Sequence, residues 1–300
     1  MTPQPSVGIV TSHANARVKQ LRAAFAGHTR LSGGLVALEG ENLLREAITS
    51  GLPLKTIFLS ERIAPPAWLP RGVELLLLSE EVFNSAADTQ HPQGIAALLV
   101  PPTWKLEAVL PAKRSGDTAP LLLLAAGLQD PGNLGTLIRS AEAFGATAVL
   151  ATAGTVSEWN QKALRASAGS VFRVPVVQID TEQLIALKSQ GLRLLAGVAP
   201  ASDFDSRSEA AGKIDLTGPC ILMIGNEGAG LSPELLALAD ARIAIPMPGR
   251  VESLNAAVAG SLLLYEASRQ REASRQQEAS RQRAASITSN LEPRTSNLLP

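Results

Sequence analysis

The chain has 300 residues, 45% of them hydrophobic, with 27 basic and 27 acidic residues and one cysteine. Length and apolar content allow two cored domains. The single cysteine excludes a disulfide framework, and the zero net charge argues against a protein that coats DNA by bulk positive charge. No apolar run reaches the roughly 18 residues of a membrane span, and no basic-then-apolar leader opens the chain. The expectation is a cytoplasmic protein with no membrane and no DNA partner. His13, His28 and His91 show no metal-ligand spacing, so no metal is expected.

In chain order, S-H-A-N-A-R-V-K-Q-L-R (12–22) places Val18 and Leu21 inward and leaves Arg17, Lys19 and Arg22 in solvent. These three are candidate contacts to RNA phosphates, against the plainer reading of an ordinary helix surface. Leu35–Leu38 reads as a strand and Glu41–Thr49 as a helix stopped by Gly51. Lys55–Ser60 and Val73–Leu78 read as strands, Glu80–Ala86 as a helix, and Ile95–Val100 as a strand. Strands alternating with helices imply a small α/β unit. Residues 101–118, rich in Pro, Lys and small polar residues, read as a linker.

Beyond it, Leu121–Ala125, Val149–Thr152, Leu192–Gly197 and Cys220–Ile224 are short apolar runs. Each has the length of a strand buried on both faces, with helical patterns such as Glu182–Gln190 between them. The expectation is an open α/β domain whose ligands gather at the carboxyl ends of the strands. The tail repeats E-A-S-R-Q-R, E-A-S-R-Q-Q and E-A-S-R-Q-R from Glu266 to Arg283. It has no apolar stripe; alternating Glu and Arg can support a solvated helix, with disorder expected beyond Ser286.

Three polar motifs interrupt the apolar pattern. In L-Q-D-P-G-N-L-G-T-L-I-R (128–139), Pro131-Gly132 reads as a turn and Asn133 as a helix N-cap. Leu134, Leu137 and Ile138 face the core, and Arg139 leans back toward the strand ends or pairs with Glu142. In I-G-N-E-G-A-G-L-S-P (224–233), glycines let backbone amides approach a ligand, and Ser232-Pro233 starts a helix. Neither a Walker loop nor G-x-G-x-x-G is present. In P-G-R-V-E-S-L-N-A-A-V-A-G (248–260), four polar residues meet an apolar helix. Ser253 as a hydrolase nucleophile lacks a nearby histidine, so that alternative is weak.

D-P-G-N-L-G-T-L-I-R, I-G-N-E-G-A-G-L-S and I-P-M-P-G-R-V-E-S-L-N, in this order, resemble the three motifs of the SpoU-type, TrmH-like RNA ribose methyltransferases of the SPOUT superfamily. K-A-L-R-A-S-A-G-S-V-F-R-V-P-V (162–176) is also similar. S-H-A-N-A-R-V-K, L-E-G-E-N-L-L-R-E-A and T-Q-H-P-Q-G-I-A-A resemble the family's N-terminal substrate-binding module. The resemblance implies a parallel-sheet α/β methyltransferase domain with a deep C-terminal trefoil knot, preceded by a small ribosomal-protein-like α/β RNA-binding domain. The resemblance covers roughly residues 10–268, with bounds of 1–102 for RNA binding, 103–118 for the linker and 119–268 for catalysis; the tail, 269–300, departs from the family and is expected to be disordered.

The resemblance implies further that S-adenosylmethionine is the cofactor, held by Gly197, Gly225, Ile245, Met247 and Leu254. It makes Asn133, Arg139, Glu227, Ser253 and Asn255 the catalytic positions, with Arg165 joining Arg17, Lys19 and Arg22 at the RNA. The implied reaction moves a methyl group to a ribose 2′-hydroxyl in ribosomal RNA, by a homodimer. Transfer RNA, or a silent RNA-binding protein of the same fold, are the alternatives. The small residues Ala256, Ala259 and Gly260 are expected to face the second subunit.

Overall fold

The computed structural model describes residues 8–27, 33–109, 119–200 and 208–291, with side chains in the last run up to Arg283. The first module contains α1 (Ala16–Phe25), β1 (Val36–Glu39), α2 (Glu41–Thr49), β2 (Leu54–Ser60), β3 (Glu74–Leu78), α3 (Glu80–Ala86) and β4 (Ile95–Leu99). Asn15 caps α1 by accepting the amides of Arg17 and Val18. Its sheet has the order β1-β4-β2-β3. β4 runs antiparallel to both neighbours, while β2 and β3 are parallel.

A short helix, α4 (Leu106–Val109), lies inside the stretch expected to be linker, and Leu106 packs on the apolar face of the second module. Residues 110–118 of that stretch lie outside the described residues.

The second module begins with β5 (Leu121–Ala125), α5 (Pro131–Ala143), β6 (Ala148–Ala151), α6 (Gln161–Ser167) and β7 (Val176–Gln178). It continues with α7 (Thr181–Ser189), β8 (Arg193–Val198), β9 (Ser208–Ala210) and β10 (Cys220–Ile224), then α8 (Pro233–Leu238), β11 (Ala241–Ala244) and α9 (Ala256–Leu291). The sheet order is β7-β6-β5-β10-β8-β11-β9, and every pairing is parallel. β5 and β10 are buried along their whole length, as strands covered by helices on both faces must be. They lie in register, Ala125 opposite Ile224, so both end at one level. From β5 the chain moves outward through β6 to β7, while β8, β11 and β9 fill the other side. The β5–β10 junction is therefore the point where strand order reverses, the usual place for a ligand.

The two modules share one apolar cluster, in which Leu38, Leu44 and Leu59 of the first join Leu164, Val171 and Phe172 of the second. Polar ties fix the docking. Buried Gln161 donates from Nε2 to the carbonyl of Ala37 at 2.9 Å. Arg173 reaches Glu46 on α2 at 2.6 Å, Ser50 just past its end at 3.1 Å, and Glu142 on α5 at 2.5 Å.

Two expectations need correction. The tail is not disordered from residue 269: α9 continues to Leu291, and residues 292–300 lie outside the described residues. Arg271, only 7% exposed, explains why the helix stays docked. It donates to the carbonyls of Leu216 (2.9 Å), Gly218 (2.6 Å) and Ala119, and Gln270 exchanges bonds with Ile214 and Leu216. These carbonyls lie just before β5 and β10, where strand pairing no longer uses them. The second correction concerns α9. Gly260 is buried, and a Cβ there would strike Leu137 and crowd Ile224. Gly260 thus lets α9 settle onto α5 and β10, inside the chain's own core.

Candidate active site

The site assembles from three loops that leave β5, β10 and β11. The first leads into α5, whose cap is Asp130 rather than the expected Asn133. The Asp130 carboxylate accepts the Asn133 amide at 3.0 Å, and Pro131 takes the first helical position, where its missing N–H costs nothing. Because Asp130 does the capping, the Asn133 side chain is released for other contacts. Asp130 also pairs with Lys162 at 2.7 Å, and this contact chiefly holds its carboxyl below the ordinary range.

The second loop, Gly225–Leu231, closes on itself through paired backbone bonds between Asn226 and Gly230. Asn226 pins it to the first loop, donating to the carbonyl of Gly127 at 2.8 Å and accepting the amides of Gly228 and Ala229. Sequence reasoning passed over Asn226. The available signal was an Asn directly after Gly225 in a glycine-rich turn, where Asn is a common turn-former. Gly225 is essential to the packing. A Cβ there would overlap the carbonyl of Gly230 and the amide of Leu231, all backbone.

The third loop ends at α9, and its cap is Asn255, whose Oδ1 accepts the amides of Ala257 (2.9 Å) and Val258 (3.2 Å). Ser253 is exposed at the edge and caps nothing.

The three loops meet in one hydrogen-bonded chain. Asn255 Nδ2 donates to Asn133 Oδ1 at 3.0 Å, and Asn133 Nδ2 donates to Glu227 Oε1 at 2.8 Å. Glu227 also accepts the backbone amides of Gln129 (3.3 Å) and Asp130 (3.2 Å). Burial raises the Glu227 carboxyl, but the Asn133 amide and these backbone amides outweigh it and hold the group below the ordinary carboxylate range. Glu227 is thus a fixed anion at neutral pH. The amide dipoles of Asn133 and Asn255 take their orientation from it.

Beside this chain opens a cavity of about 350 Å³, lined by Gly197, Gly225, Ile245, Met247 and Leu254 among others, with Glu227 and Ser253 on its wall. A Cβ at Gly197 would stand 3.0 Å from the carbonyl oxygen of Met223 and 3.1 Å from Ile224. Both glycines therefore let the segments that form the cavity wall pack more closely than a side chain would allow. The lining mixes glycine backbone with Ile and Met side chains, which suits a ligand having an apolar face and polar edges.

The remaining expected site residues are distributed as follows. Arg139 is exposed on α5, and its alternative partner Glu142 is engaged by Arg173. Arg17 pairs with Glu74 at 2.9 Å, Arg22 bonds the carbonyl and hydroxyl of Ser85, and Lys19 is exposed. Arg165, on α6, is paired with Asp88 at 2.8 Å. Among the described residues, no three His, Cys, Asp or Glu side chains gather where they could hold a metal ion. No helix among them is long and apolar enough to cross a membrane.

Residues 120–265 match the model of the SpoU rRNA methylase family, and residues 15–97 match that of an MRM3-like substrate-binding domain. The 23S rRNA (guanosine(2553)-2′-O)-methyltransferase RlmP of Bacillus subtilis is 34% identical over 261 residues, covering 85% of this chain and 97% of that protein. Human mitochondrial rRNA methyltransferase 3 is 32% identical, covering 79% and 68%. The AdoMet-bound rRNA methyltransferase from Sinorhizobium meliloti superposes with a TM-score of 0.74 at 30% identity, covering 87% and 97%. AviRb from Streptomyces viridochromogenes, in complex with the cofactor AdoMet, gives 0.72 at 28%, covering 86% and 98%. With this sheet order, this cavity and these relatives, the chain belongs to the SpoU family of RNA methyltransferases.

Proposed function

We propose that this protein methylates a ribose 2′-hydroxyl of ribosomal RNA with S-adenosylmethionine as donor. The observation that carries the reading is the Glu227–Asn133–Asn255 chain at the mouth of a glycine-walled cavity. The names of the Bacillus and human relatives support the substrate class. Gly197, Gly225, Ile245, Met247 and Leu254 would hold the cofactor, since all five line that cavity. Bound S-adenosylmethionine supplies a methyl group on a positively charged sulfur.

The chain's own residues supply position and charge. Asn133 and Asn255, oriented by Glu227, align the ribose hydroxyls, and Ser253 on the cavity wall adds a further hydroxyl contact. Arg139, which forms no ion pair among the described residues, stabilises charge that develops on the attacking oxygen or holds the adjoining phosphate. Arginine stays protonated, so it is not the proton acceptor. Contact with the 2′-hydroxyl separates RNA from DNA. Arg17, Lys19, Arg22 and Arg165 attract the RNA backbone.

The reading extends to a homodimer. Val258, Leu262 and Tyr265 stand 47%, 42% and 50% exposed along one face of α9, next to the cavity-lining Ala259 and Leu263. It extends also to a trefoil knot in the segment from β10 through α9, in keeping with β10 inserting between β5 and β8 before β11 is laid down beyond them. A cytoplasmic location goes with it. Calorimetry with S-adenosylmethionine tests the reading, and mapping of 2′-O-methyl sites in cells with and without the gene identifies the nucleotide. The account expects saturable binding and the loss of one ribosomal site. No binding, or no lost site, contradicts it.

A further inference from the structure

A second cavity, of about 520 Å³, lies between the two modules. Its walls come from both sides: Phe25 and Asp88 from the first module, Trp159, Lys162 and Arg165 from the second. We propose that this cleft is a subsite for one unpaired nucleotide of the RNA substrate, adjacent to the nucleotide that is methylated. The inference rests on the methyltransferase reading and adds to it the conformation of the substrate.

The chemistry of the walls carries it. Trp159 stacks on Phe172 with ring centroids 6.4 Å apart and planes 22° from parallel, and it packs half-buried against the core at the cleft wall. An indole beside cations is the arrangement that binds single strands: a base stacks on the ring, and the phosphate goes to the cations. Lys162 and Arg165 are one turn of α6 apart, with side chains 58% and 46% exposed. Their carboxylate partners, Asp130 and Asp88, are held in solvent-screened pairs that phosphate oxygens can replace at little cost. The cavity volume of about 520 Å³ is of nucleotide scale, far below that of a duplex segment.

The cleft also communicates with the chemistry. Lys162 touches Asp130, Asp130 accepts the Asn133 amide, and Asn133 is the centre of the catalytic chain. A nucleotide seated against Lys162 therefore neighbours the one whose ribose meets Asn133. Such a site selects RNA whose target lies in a loop or is drawn out of its helix.

The three tryptophans are Trp68, Trp104 and Trp159. In a Trp68→Phe, Trp104→Phe protein, fluorescence reports Trp159 alone. The probe is a single-stranded oligoribonucleotide of roughly ten nucleotides, compared at one salt concentration with the same sequence as a duplex. Expected are quenching by the single strand only, and affinity about tenfold weaker in Lys162→Gln, Arg165→Gln with S-adenosylmethionine affinity unchanged. Filter binding of wild type against Lys162→Gln, Arg165→Gln gives the same comparison if the tryptophan replacements disturb folding. Absent quenching, or equal binding of duplex and single strand, overturns the subsite while leaving the methyltransferase reading intact. Failure of the wild type to bind S-adenosylmethionine overturns that reading and the subsite with it.

Discussion

Replacing Asn133 with alanine removes the middle of the chain that joins the three loops. Two side-chain hydrogen bonds disappear, one of 2.8 Å to Glu227 and one of 3.0 Å from Asn255. Sheltered bonds of this kind sum to about 2.5–4 kcal/mol, but Glu227 and Asn255 are exposed, so a loss of about 1–2 kcal/mol is expected. In a chain of this size that is a fall in Tm of about 2–5 °C. Activity should suffer far more, because Asn255 and Glu227 lose their mutual register, and a misplacement of about 1 Å costs about a hundredfold in rate. Asn133→Asp is the sharper variant. It keeps the shape but sets a second carboxylate where Nδ2 now meets Glu227 Oε1 at 2.8 Å. It should be less active than Asn133→Ala at neutral pH and recover toward it as pH falls and one carboxylate takes a proton. Transfer of labelled methyl to RNA measures activity, and calorimetry measures donor affinity, which should change little. Near-normal transfer by Asn133→Ala, or transfer and donor affinity falling together, would refute the assignment of the chain to ribose alignment.

Other outcomes follow from the same geometry. Gly225→Ala should abolish donor binding and destabilise the fold by at least the roughly 1–3 kcal/mol of an overpacked site, because the colliding atoms are backbone; calorimetry and thermal melts check it. Arg139→Ala should lose transfer while keeping donor affinity, and a variant with normal turnover would remove Arg139 from the mechanism. Glu227 has a folded pKa below its ordinary 4.5, so its contribution is complete above that value and is lost as pH falls through the folded pKa; Asn133→Ala should flatten this acid limb in melts recorded against pH. Ending the chain after residue 283 should leave stability unchanged, whereas ending it after residue 269 removes the caged Arg271 and should cost about 3–5 kcal/mol. Leu262→Glu should give a monomer in light scattering, and an unaltered dimer would move the interface off this face of α9.

The sequence made the three loops visible because glycine, proline and asparagine punctuate apolar strands there, and each of those residues answers a backbone demand. The buried strands LLLLA and CILMI were equally plain, since nothing polar interrupts them. Asp130 and Asn133 are both good cap-formers three residues apart, and only the position of Pro131 at the helix start decides between them. The strands Val176–Gln178 and Ser208–Ala210 span three residues each, too few to show a period. Arg271 stands in a run of hexads whose other arginines are exposed, and what buries it is where α9 passes the strand ends, a tertiary fact. Likewise, Gly260 reads the same whether it faces a partner or Leu137.

The central claim is that this site places a methyl group on a ribose oxygen. Its most direct test incubates the protein with ribosomal RNA and methyl-labelled S-adenosylmethionine, digests the RNA to nucleosides and identifies the labelled product by mass. The account predicts label on a single 2′-O-methylated nucleoside, lost when the target nucleotide carries a 2′-hydrogen in place of the hydroxyl. Label on a base, or transfer that survives removal of the 2′-hydroxyl, would contradict it.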